Sequence, residues 1–138
     1  MAEQKDYDFS CWVIKYDHSN HNGRTYKKDC LKNNDGIVVP LLWIHDHSYN
    51  TNHMLGHALL EHRDGDGVYA YGTLTSNPNI NIVKDMLKDY GRLSLSPYIN
   101  KLKIYDNIIT EGSIREVSLV PERVDQDKIY YPVWKGVK

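Results

Sequence analysis

LSLSPYINKLKIY (93–105), Asp106-Asn107 and IITEGSIREVSLV (108–120) follow one another without interruption, and their reading decides the fold. Both long runs are rich in Leu, Ile, Val and Tyr and read as strands, and the two polar residues between them form a tight turn. Upstream, Ile37–Ile44 is the strongest buried strand. His53–His62 and Gly67–Leu74 flank Arg63-Asp64-Gly65-Asp66 as a second hairpin. Tyr7–Tyr16 alternates with Phe9, Cys11 and Val13 on one side and Trp12, Ile14 and Tyr16 on the other, a strand buried on both faces.

The remaining segments are shorter or polar. DHSNHNG (17–23) is a turn or exposed loop, and Thr25–Leu31 forms a short strand or a helical turn. One helix is expected over Asn79–Tyr90, where Ile80, Val83, Met86, Leu87 and Tyr90 recur at helical spacing. Ser76-Asn77-Pro78 starts it and Gly91 stops it. Lys128–Trp134 is an edge strand or a docking tail. Many strands and one helix, with no repeat or linker, predict a mainly β (β-rich α+β) fold: a small closed or partly closed β-barrel, one domain over residues 1–138.

Composition narrows the function classes. A chain of 138 residues is long enough for a true core. A formal charge of -1, from 17 basic and 18 acidic residues, leaves no electrostatic footprint for nucleic acid or an anionic membrane. No apolar run approaches the roughly 18 residues that a spanning helix needs, and MAEQKDYDF is too acidic for a signal peptide, so a soluble intracellular protein is expected. Cys11 and Cys30 then read as ordinary reduced residues, too few for a zinc site of their own. Eleven Tyr against one Phe suit a half-buried sheet rimmed by hydroxyls that reach water or a partner.

Three strand-like runs each carry a polar residue of the hydrolytic kind: His45 closing VVPLLWIH, Ser96 within LSLSPYINKL, and Glu116 within SIREVSLV. A nucleophilic hydroxyl needs a base, and the base a third group to orient it, drawn from any point in the chain. Five of seven histidines fall between His45 and His62, which leaves two alternatives. In one, His45 and His47 with His53 or His57 ligate a metal, although no known metal-binding spacing is present. In the other, His45 alone is the base, held at a strand end, and the remaining histidines fill loops. Ser94 shares a strand face with Ser96 and rivals it. Pro97 interrupts the ladder beside Ser96, as suits an edge, a bulge or a reactive position. Glu116, amid apolar residues, requires a pairing or hydrogen-bonding partner.

Taken together, FSCWVIKY, VPLLWIHDH, the LGHALLE to DGVYAYG hairpin, LSLSPYINKLK and IREVSLV resemble, in order and spacing, the prohead (capsid maturation) serine proteases of tailed bacteriophages, from about Phe9 to Val120. The resemblance implies a fold similar to the herpesvirus assemblins, a β-barrel with peripheral short helices. It assigns the general base to His45 rather than His47, the nucleophile to Ser96 rather than Ser94, and the third member to Glu116. Arg115 and Ser94 become supporting groups near the oxyanion. Cys11 stands where the family commonly has glycine, and Pro97 and PERVDQDKIYYPVW also depart from its pattern, but no triad position is lost.

The implied activity is a serine endopeptidase without cofactor or metal. It would cut scaffold protein or the scaffold-like segment of the major capsid protein, and itself, inside the assembling procapsid in the host cytoplasm. Self-association as a homodimer is expected; nucleic acid and membrane are not partners. Two other classes stand beside it: an inactive protease-fold scaffold or capsid component, and a histidine-rich metal-binding hydrolase.

Overall fold

The computed structural model describes residues 7–16, 23–43, 54–75, 81, 83–85, 88 and 93–121. Among these, seven strands make one sheet: β1 (Phe9–Lys15), β2 (Thr25–Tyr26), β3 (Val38–Trp43), β4 (Met54–Arg63), β5 (Gly67–Leu74), β6 (Leu93–Tyr105) and β7 (Ile108–Pro121). The order is β1-β5-β4-β3-β7-β2, with β6 on the other side of β7. At the two ends of the sheet β1 and β6 come within 8 Å between Cα atoms, so it curls into a nearly closed barrel. The fold is therefore the small, mainly β barrel that the strand pattern predicts.

The β6–β7 hairpin is the longest unit, and its turn explains its register. Asp106 and Asn107 have φ of 53° and 65°. Positive φ at both central residues is the type I′ arrangement, whose twist matches that of the strands, and Asp and Asn are among the few side chains that tolerate it. The β4–β5 hairpin forms as expected, with Gly65 at φ +81° in its turn. Thr25–Leu31 splits between both expectations: a two-residue strand, then turns leading into a 3-10 turn at Lys32–Asn34. Positions 81, 83–85 and 88 are helical, within the expected helix, and Val83 is buried in the core. The expected loop at 17–22 and the segment 128–134 lie outside the described residues.

The barrel interior is filled by alternate residues of each strand, among them Phe9, Leu41, Leu60, Ala70, Leu95 and Val117, all wholly or almost wholly buried. Each large apolar side chain moved there from water contributes about 1.5–3 kcal/mol. At the β1–β5 seam Phe9 pairs with Gly72, and a Cβ on that glycine would collide with the Phe9 ring. Outside the barrel, β1 and β5 carry a second layer. The Trp12 and Tyr69 rings meet edge-on at 5.1 Å, Tyr7 and Tyr71 lie 4.8 Å apart, and the Arg63 guanidinium sits 3.9 Å from the Tyr69 ring centre. Burial works against the Arg63 charge, but hydrogen bonds to Glu61 (2.8 Å) and Tyr71 (3.0 Å) outweigh it and raise its pKa. This layer is the half-buried tyrosine rim that the composition suggests. Cys11 and Cys30 are both free thiols.

Strand β7 is supported along both of its edges. On the side away from β6 it is paired with β2 at Ile108 and Ile109 and with β3 from Val117 to Leu119. Between the two, the buried Asn34 side chain stands in for a strand. Its Nδ2 donates to the Gly112 carbonyl (3.2 Å), and its Oδ1 accepts from the Ile114 N–H (2.9 Å). Just beyond, Tyr98 pairs with Glu116 but Ile99 with Ile114, so Arg115 is the extra residue of a β-bulge.

Candidate functional site

The bulge decides which way Glu116 faces. Ile114 and Val117 both belong to the core cluster, so Arg115 and Glu116, the two residues between them, fall on the outer side of β7. Ser118 comes two residues later on that same outer face. In β6, Leu93 and Leu95 point into the core, which sends Ser94 and Ser96 outward. The register sets Ser96 directly opposite Ser118, Ser94 opposite Val120 and Tyr98 opposite Glu116. On the far side of Ser118 lies Leu42 of β3, followed by Trp43 opposite Leu119.

The result is a polar strip on the outer face, shut away from water. Ser94, Ser118 and Glu116 are fully buried and Ser96 is 5% exposed. Directly opposed residues of an antiparallel pair have Cβ atoms about 4.5–5.5 Å apart, and diagonal neighbours lie about 7–8 Å apart. Ser96 and Glu116 are diagonal neighbours of this kind. Ser96, Ser118 and Glu116 each have interaction partners. Among the described residues the Ser94 Oγ has no hydrogen-bond partner. A buried hydroxyl without one costs about 1–3 kcal/mol.

Of the residues singled out in the sequence, the fold thus brings together Ser96, Glu116 and Ser94. His45 lies outside the described residues, two positions after Trp43, the last residue of β3; His47 and His53 lie outside them as well. Arg115 stays exposed at the bulge and does not join the buried strip. Ser118 was not among the sequence candidates, although it is spaced i, i+2 from Glu116 and so shares its face.

His57 and His62 lie on β4, the strand expected over His53–His62, and not in loops as the catalytic alternative had them; the His62 side chain is only 2% exposed. Its Nε2 lies 2.8 Å from the Tyr16 hydroxyl and 3.4 Å from Asp29 Oδ1, while Nδ1 lies 3.2 Å from Asp64 Oδ1. Its backbone N–H donates to Asp35 (2.8 Å), and Asp29 in turn accepts from the Gly65 N–H (2.8 Å). Burial first, then the nearby Cys30, Asp29 and Asp64, push the Tyr16 pKa up to about 12, against the pull of the Leu31 N–H. Asp29, His62 and Asp64 place ligand atoms within 4.8 Å of one another. The two carboxylates, however, sit at different ring nitrogens, whose lone pairs diverge, so one ion on His62 would not meet both without rearrangement. The group is built as a hydrogen-bonded clamp joining β1, the 29–35 segment and the β4–β5 turn.

Against known proteins, the chain matches no protein-family model, no curated protein and no solved structure.

Proposed function

We propose that this chain is a serine endopeptidase of the prohead-protease kind, with Ser96 as nucleophile, His45 as general base and Glu116 as the group that orients the base. The observation that carries it is the placement of Ser96 and Glu116 diagonally on one buried face, beside the strand that leads to His45. The sequence resemblance, which assigns the same three residues, is its second support.

In the acylation step the Ser96 Oγ–C bond forms at the scissile carbonyl while the π electrons move onto its oxygen. The Ser96 proton passes to the imidazole, and Glu116 stabilises the cation so formed. Collapse of the intermediate breaks the C–N bond, the amine leaves with the proton from the imidazole, and water then hydrolyses the acyl-enzyme. The substrates proposed are scaffold protein, the scaffold-like segment of the major capsid protein, and the chain itself. Metal takes no part, so a chelator is expected to leave cleavage unchanged.

The low exposure of Ser96 favours a second reading, an inactive protease-fold scaffold or capsid component. Co-expression with the capsid or scaffold protein of the same genome separates the two. Cleavage is expected with the parent chain and is expected to vanish in Ser96→Ala; full cleavage by Ser96→Ala would remove the nucleophile assignment.

A further inference from the structure

We infer that Ser94 is a second catalytic hydroxyl, which donates a hydrogen bond to the oxygen that becomes negative when Ser96 attacks a carbonyl. This rests on the assignment of Ser96 as nucleophile. Ser94 lies two residues from Ser96 on the same outer face of β6, about 7 Å along the strand. It is fully buried, and among the described residues its Oγ has no hydrogen-bond partner. Both flanking residues, Leu93 and Leu95, are wholly buried in the core on the opposite face, so the strand fixes the face on which this hydroxyl lies.

An alanine would fill nearly the same space without burying an idle polar group, so the hydroxyl costs stability in the resting protein. That is the expected signature of a donor whose acceptor exists only during the reaction. In the step itself the Ser96 Oγ–C bond forms, the π pair moves to oxygen and the Ser96 proton goes to the base. Ser94 keeps its own proton and only donates a hydrogen bond. Arg115, exposed at the bulge, is not needed for this role.

The test tracks the rate at which a fluorophosphonate probe labels Ser96. In that reaction the Oγ–P bond forms, fluoride leaves, and the phosphoryl oxygen occupies the position of the carbonyl oxygen. Intact-mass time courses across pH would be compared for the parent, Ser94→Ala and Ser94→Thr, with urea midpoints for each. Ser94→Ala is expected to label about 100-fold more slowly, with an unchanged pH profile and a urea midpoint equal to or above the parent's; Ser94→Thr is expected to recover most of the rate. Labelling of Ser94→Ala at the parental rate would overturn the proposal, as would slow labelling accompanied by a lower urea midpoint and no recovery in Ser94→Thr. If the parent chain itself is not labelled on Ser96, the protease reading fails and this inference falls with it.

Discussion

Tyr16 shows how much one buried hydroxyl can organise. Its oxygen accepts from the Leu31 N–H (3.3 Å) and meets His62 Nε2 at 2.8 Å, so it joins the end of β1 to β4 and to the segment before the 3-10 turn. Burial raises its pKa from an ordinary value near 10 to about 12. Between those values the folded chain still holds a proton that the unfolded chain has lost. The associated stability is therefore complete below about pH 10 and is lost as pH rises toward 12. Burial moves the Cys30 thiol in the same direction and adds to the alkaline loss. Urea midpoints measured from pH 8 to 11.5 should fall steeply above pH 10 in the parent. In Tyr16→Phe they should start lower, because two hydrogen bonds are gone, and fall less. Equal slopes in the two proteins would show that Tyr16 does not govern the alkaline limb. None of this was legible from the sequence, where Tyr16 is one alternating residue among many and His62 one histidine of a cluster.

The elements divide by how local their causes are. The β6–β7 and β4–β5 hairpins could be read directly, because each depends on an alternating pattern and a short turn that lie together in the chain. Asn34 could not: within KNND it looks like an ordinary turn residue, yet its amide bridges Gly112 and Ile114 where, among the described residues, β7 has no strand along its edge away from β6. The bulge at Arg115 was hidden for a related reason. Continued from Ile114, simple alternation would turn Glu116 into the core; the extra residue turns it outward, onto the face of Ser96. Asn34→Leu would keep the branched skeleton and strand two buried backbone groups, each costing about 1–3 kcal/mol. A loss near 3 kcal/mol in urea denaturation is expected, with faster amide exchange at Ile114. A loss below about 1 kcal/mol would mean that Asn34 is not what closes this gap in the ladder.

Across the whole molecule, β7 is the shared wall on which the candidate site depends. It pairs with β6, which carries Ser94 and Ser96, and with β3, whose last residue lies two positions before His45. A nearly closed barrel holds these strands in fixed register, so Ser96 and Glu116, far apart in sequence, fall on one face without any local motif to announce them. That explains why each looked unremarkable alone, and why only their joint order and spacing suggested a site. The central claim, that Ser96 is a nucleophile, is tested most directly by treating the purified chain with a serine-directed fluorophosphonate and mapping the adduct by tandem mass spectrometry. A single adduct on Ser96, absent from Ser96→Ala and strongly reduced in His45→Ala, is the predicted result. No adduct on the parent chain, or one carried by Ser94 or Ser118 instead, would contradict it.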